Sequence, residues 1–121
     1  MGVGFDLIKG FNFVQGIHPY RNNTNVWVRV GVELQDIQGY FDNGPIVIEG
    51  TGFKTKIEGY FLRGAGAGLE AGGADDYDGY VQLKPTTASQ AVNGVVIDAF
   101  FRNSSDKNVK IIDIDTGAGT A

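Results

Sequence analysis

The stretch that decides the fold is residues 25–62, which read NVWVRVGVELQDIQGYFDNGPIVIEGTGFKTKIEGYFL. From Val26 to Leu34 every second residue is apolar, which is typical of a strand with one face in a core and the other in solvent. Further strand-like segments follow at Ile46–Glu49 and Phe53–Leu62, and Asp42–Pro45 has the residue types of a tight turn. Residues 25–62 therefore predict a β-rich scaffold.

The composition sets limits on partners and chemistry. The chain has 121 residues, 19 glycines, no cysteine, and a net charge of −4 from 10 basic and 14 acidic residues. We predict a single β-rich domain over residues 1–121, with no disulfide and no thiolate metal site. Acidity argues against a nucleic-acid partner, and neither a polybasic membrane site, a signal peptide nor a membrane-spanning segment is recognisable.

The two ends of the chain have different characters. Residues 1–16 contain two short apolar pieces, and we predict an N-terminal arm that pairs with its own sheet or with a neighbour. Near the other end, strands at 95–101 and 109–114 flank a polar loop and predict a hairpin, and residues 116–121 predict a flexible tail. The apolar residues of the arm are candidate assembly contacts: Phe5, Leu7, Ile8, Phe11 and Phe13.

An Ile-x-Gly-Tyr-Phe pattern occurs at residues 37–41 and again at 57–61, and related patterns occur at 77–81 and 97–101. A spacing of 20 residues is what the coils of a β-solenoid produce. Other positions do not repeat, since the apolar residues 26–28 align with glycines and an alanine 40 residues later. We therefore predict an all-β, single-domain antiparallel β-sandwich, immunoglobulin-like or jelly-roll-like, and keep a β-solenoid as the alternative.

No pattern points to catalysis or to a cofactor. The only histidine, His18, has no nucleophile nearby in sequence, and Gly64–Gly68 lacks the residues of a phosphate-binding loop. We predict that the protein is not an enzyme and has no cofactor. Two fragmentary acidic clusters are weak candidates for metal ligands, but we expect solvated loop charge there; their members are Asp75, Asp76, Asp78, Asp113 and Asp115.

Exposed aromatic residues offer a second hypothesis. Trp27 and Tyr60 lie on predicted strands, and Tyr40 and Tyr80 lie in the patterns at 37–41 and 77–81. Aromatic rings on one exposed face can stack against sugars. These four residues are weak candidates for ligand binding. The alternative function is therefore a carbohydrate-binding β-sandwich module that acts with or without the assistance of calcium.

Two segments carry a resemblance to a known class of proteins. Ile37–Gly50 resembles a strand, turn and strand of small β-sandwich domains in virion structural proteins of tailed bacteriophages, and Phe101–Ile111 resembles a late hairpin of immunoglobulin-like sandwiches. The resemblance implies a viral structural protein, such as a capsid decoration or tail accessory subunit, and transfers no site residues. It implies a homo-oligomer that also binds other protein subunits of a larger particle, located in the virion and assembled in the host cytoplasm.

Overall fold

The computed structural model describes residues 3–7, 10–20, 24–29, 32–50, 54–64, 79–84, 94–104 and 109–114. Strands account for most of these residues, and none of them forms a helix, so this part of the chain has no helix that could cross a membrane. The strands are β1 Val3–Leu7, β2 Gly10–Ile17, β3 Thr24–Val28, β4 Val32–Asp42, β5 Ile46–Ile48, β6 Lys54–Arg63, β7 Gly79–Leu83, β8 Val95–Asn103 and β9 Lys110–Ile114.

Successive strands alternate between two sheets. One sheet has the order β1-β3-β5-β7-β9 and the other the order β2-β4-β6-β8, and every neighbouring pair is parallel. The predicted antiparallel sandwich is therefore wrong, and the topology is that of the alternative, a β-solenoid whose coil holds one strand from each sheet. The prediction was wrong because turn residues end a strand in both folds, and they do not show which strand the next one pairs with.

Two local predictions fail for the same reason. The expected strand from Val26 to Leu34 is two strands, β3 and β4, that lie in different sheets, and the expected hairpin of β8 and β9 is likewise divided between the sheets. The segment Ile37–Gly50 also crosses from one sheet to the other at its turn, where Asn43 adopts a φ of 50°. Asparagine tolerates this left-handed conformation better than most residues do.

The 20-residue spacing is a structural repeat in the middle of the chain. Between β4 and β6, Ile37 pairs with Ile57 and Phe41 with Phe61, each 20 residues apart. The next coil is longer, because Ile57 pairs with Ile97, 40 residues later. This longer coil explains the positions that do not repeat in sequence: the row of Val26 continues through Ile46 to Val81 rather than to residue 66.

The core lies between the two sheets and has an aromatic ladder at its centre. The rings of Phe41 and Phe61 stack with centroids 4.6 Å apart, and Phe61 stacks on Phe101 at 5.0 Å. Tyr80 comes from the other sheet and meets Phe61 edge-on at 5.7 Å. Offset stacked and edge-to-face arrangements are the favourable geometries for aromatic pairs. These contacts therefore tie three coils and both sheets together.

Residues 1–16 contribute the first strand of each sheet. β1 pairs with β3, and β2 pairs with β4, all within the same chain. The predicted tail at 116–121 lies outside the described residues.

Candidate assembly surfaces at the ends of the sheets

Rows of inward-facing side chains run across the five-stranded sheet, one residue from each strand. One row is Phe5, Val26, Ile46, Val81 and Ile112. The three middle residues are fully buried, whereas Phe5 is 37% and Ile112 is 42% exposed. No described strand lies beyond β1 or β9, so the two outer residues have a neighbour on one side only. The row thus ends in exposed apolar surface at both ends of the sheet.

A second row repeats this pattern at one end. It contains Leu7, Val28, Ile48, Leu83 and Ile114. Leu7 is buried, but Ile114 on β9 is 62% exposed. At the β1 end, Val3 is an exposed neighbour of Phe5 on the same face of the strand. We call Val3 and Phe5 the β1 end, and Ile112 and Ile114 the β9 end.

The outermost strands also have unpaired backbone edges within the described part of the chain. β1 and β9 end one sheet, and β2 and β8 end the other, so each has a strand partner on one side only. The free N–H and C=O groups of an edge strand can accept a further strand from another chain. Apolar side chains and free backbone groups therefore occur together at both ends of the five-stranded sheet.

The outer face of the four-stranded sheet has a second aromatic ladder. Tyr40 and Tyr60 stack with centroids 5.1 Å apart and planes 15° apart, and His18 packs edge-on against Tyr40 at 4.7 Å. The His18 Nε2 atom lies 3.5 Å from the carboxylate of Asp42. Phe100 follows Tyr60 in register on the edge strand β8 and is 76% exposed. Burial, followed by the charge of Asp42, raises the pKa of Tyr40.

The other two aromatic candidates lie elsewhere. Trp27 is in the five-stranded sheet, and the guanidinium of Arg29 lies 3.8 Å from its ring centroid. Arg29 also binds Asp6 at 2.9 Å and Glu49 at 3.5 Å, and the hydrogen bond with Asp6 is the main reason that the pKa of Arg29 is raised. Tyr80 is in the core. The structure therefore brings together Tyr40 and Tyr60 of the four candidates.

The assembly candidates taken from the sequence lie in different environments. Phe5 is at the β1 end, Leu7 is in the core, and Phe13 is 71% exposed on β2. Phe13 pairs with Asp36, which places it on the outer face of the four-stranded sheet. Ile8 lies outside the described residues. Phe11 lies in β2, but the description of this residue is limited to its backbone.

Sequence reasoning missed the β9 end. The sequence predicts that Ile112 and Ile114 belong to a hairpin strand paired with β8, and this arrangement gives no reason to expect an open end there. Their apolar alternation was visible in the sequence, but it indicates a buried face equally well when a strand is central and when it is an edge.

The acidic candidates give no metal site among the described residues. Asp113 lies on β9, where the ammonium of Lys110 is 3.3 Å from its carboxylate. Asp75, Asp76, Asp78 and Asp115 fall outside the described ranges. Within those ranges, no group of three or more His, Asp or Glu side chains is arranged to hold a metal ion.

Comparison with known proteins adds no relative. No protein-family model matches the chain, and no curated protein or solved structure shows significant similarity to it.

Proposed function

We propose that this chain is a non-enzymatic structural protein that acts by assembling with copies of itself and with other protein subunits. The observation that carries the proposal is the exposure of Phe5 and Ile112 at opposite ends of one otherwise buried row. Both side chains share a row with buried core residues, and each has a described strand on one side only, which accounts for their contact with solvent.

The energetics of solenoids support this role. A repeat unit buries its apolar face only by stacking on a neighbour, and terminal units normally have polar caps. Here the outermost described strands carry apolar residues in place of such caps. Apolar surface contributes roughly 25 cal/mol per Å² when it leaves water, so a contact that covers these side chains is favourable. A free strand edge adds backbone hydrogen bonds to the same contact.

The more specific prediction is that the protein is a structural component of a virion. A capsid decoration or tail accessory subunit follows from the sequence resemblance, and the sandwich fold implied by that resemblance is wrong. The virion location therefore stays a prediction that depends on the sequence patterns, whereas the assembly role also has the exposed sheet ends in its favour. Carbohydrate binding has less support, because Tyr40 and Tyr60 cover one face of each other's rings and Arg29 covers a face of Trp27.

The test is the solution mass of the full chain by light scattering over a wide range of concentrations. We expect masses above the 13.0 kDa of one chain, rising with concentration. Ile114→Lys should lower the mass at every concentration while leaving the β circular-dichroism spectrum unchanged, since this side chain is largely in solvent. A native chain that remains monomeric at every concentration would refute self-assembly.

A further inference from the structure

We infer that the contact between copies is head-to-tail, with the β9 end of one copy against the β1 end of the next. This inference rests on the proposed assembly function and specifies its geometry: strand β9 of one copy pairs in parallel with strand β1 of a second copy, and the five-stranded sheet continues from one copy into the next.

The rows of the five-stranded sheet supply the first argument. Phe5 and Ile112 occupy the two ends of one row, and Leu7 and Ile114 occupy the two ends of another. If a second copy adds its β1 to β9 in the same direction, each row continues into its own counterpart. Ile112 then meets Phe5 of the next copy, Ile114 meets Leu7 and Lys110 meets Val3, so two of the three inward pairs across the new contact are apolar on both sides.

The alternative, a two-fold contact, fits these residues less well. Pairing β9 with β9 of another copy reverses the strand direction. With Ile112 at the centre, it places each Ile114 opposite Lys110 of the other copy, so only one of the three inward pairs is apolar on both sides. Pairing β1 with β1 joins apolar residues but leaves the β9 end of each copy uncovered. A head-to-tail contact covers both ends with one kind of interface, which is the defining property of a heterologous contact.

One row opposes the contact and makes it sensitive to salt. On the other face of the sheet, Asp6 and Asp113 occupy the two ends of a row that passes through Trp27, Val47 and Gln82. Head-to-tail pairing brings these two carboxylates together. Arg29 and Lys110 bind them within each copy, at 2.9 Å and 3.3 Å, and offset part of the repulsion. Added salt screens the remainder, so assembly should strengthen as ionic strength rises.

The decisive experiment blocks one end at a time. Phe5→Lys places a charge in the β1 end, and Ile112→Lys places one in the β9 end. In a head-to-tail contact each variant alone has lost one of the two surfaces that every interface needs. We therefore expect both variants to associate at least about tenfold more weakly than the native chain. Mixed in equal amounts, they should form a one-to-one dimer of about twice the 13.0-kDa monomer mass, because each supplies the end that the other lacks.

Glu58→Lys is the matched control, because it also introduces a lysine but on the outer face of β6, which has a described strand on both sides. It should assemble like the native chain. Circular dichroism verifies that each variant is folded, and Val3→Lys and Ile114→Lys replace the first pair if either of those variants unfolds.

The outcomes separate the two proposals. A native chain that is monomeric under all conditions overturns the assembly function itself. If the native chain associates but only one blocked variant loses association, and mixing creates no new species, the contact is two-fold and the head-to-tail inference is wrong. Loss of assembly in Glu58→Lys equal to that in Phe5→Lys would also overturn the inference, because the contact would then involve the outer face of the four-stranded sheet.

Discussion

Replacing Phe61 with alanine tests the central packing of the solenoid. Phe61 is fully buried, stacks on Phe41 and Phe101 at 4.6 and 5.0 Å, and meets Tyr80 edge-on. Its removal leaves a cavity bordered by three rings that are held by different strands. Because these strands are fixed by their backbone pairing, the space cannot readily close.

The expected loss in the free energy of unfolding has two parts: the lost burial of the ring together with the cavity that it leaves, and the lost aromatic contacts. A buried phenylalanine replaced by alanine typically lowers the free energy of unfolding by about 3–5 kcal/mol, which includes the cavity. Loss of three aromatic contacts favours the upper part of that range, since each pair is worth roughly 0.5–1.5 kcal/mol beyond its buried area. We expect a loss of about 4–5 kcal/mol.

The assay is urea unfolding followed by circular dichroism and by the fluorescence of Trp27, the only tryptophan. Tyr60→Ala is the matched control, because Tyr60 is the adjacent residue on the outer face and is only partly buried. It should cost about 1–2 kcal/mol. A double-mutant cycle of Phe41→Leu and Phe61→Leu should also show coupling of about 0.5–1.5 kcal/mol. Equal costs for Phe61→Ala and Tyr60→Ala, or no coupling to Phe41, would refute the inward ladder.

Three further predictions follow from the coil geometry and the buried tyrosine. Gly59→Ala should lower the free energy of unfolding by more than about 2 kcal/mol in a thermal or urea titration, because Gly59 has a φ of 139° and an added Cβ would overlap the carbonyl oxygen of Gly39. Gly16→Ala is its control, since Gly16 also has a positive φ but open space, and an equal loss at both positions would contradict the steric explanation. Burial raises the pKa of Tyr80, so the folded state keeps this proton to higher pH than the unfolded state. The contribution of Tyr80 to the free energy of unfolding should therefore be complete below about pH 10 and fall above it by up to about 1.4 kcal/mol per pH unit. Tyr80→Phe should reduce that slope in urea titrations at several alkaline pH values, and an unchanged slope would assign it to other groups. Deleting residues 34–53 removes one full 20-residue coil, and the strand that begins at Lys54 then takes the place of the strand that held Leu34. The β circular-dichroism signal should therefore persist, whereas a deletion of ten residues should abolish it. Loss of the fold in both cases would argue against independent coils.

The sequence specified where the strands are more accurately than how they pair. Predicted segments at Ile46–Glu49 and Phe53–Leu62 correspond to β5 and β6, because their alternation and turn residues are local properties of the chain. The 20-residue spacing also indicated a coil, but the longer coil between β6 and β8 interrupted it. An insertion within a coil changes the sequence period without changing the rows of the sheets. The spacing in the sequence therefore reveals only part of the repeat that the structure contains.

The candidate assembly surfaces were also only partly predictable from the sequence. The sequence predicts Phe5 as a candidate assembly contact because it is apolar and lies in the predicted arm. Ile112 was not identified, although it occupies the other end of the same row, since that relation is created only by strand pairing over more than 100 residues.

By itself, the sequence determined that this protein is built from short strands with one apolar face, with no disulfide and no recognisable catalytic motif. Those features depend on residue types and on their spacing over a few positions. The tertiary structure decided that the strands are parallel and alternate between two sheets, and therefore which apolar side chains have a neighbour on both sides and which remain at an open end. The physical reason is that a strand's alternation records which face is buried, whereas pairing and exposure depend on the strands that lie beside it.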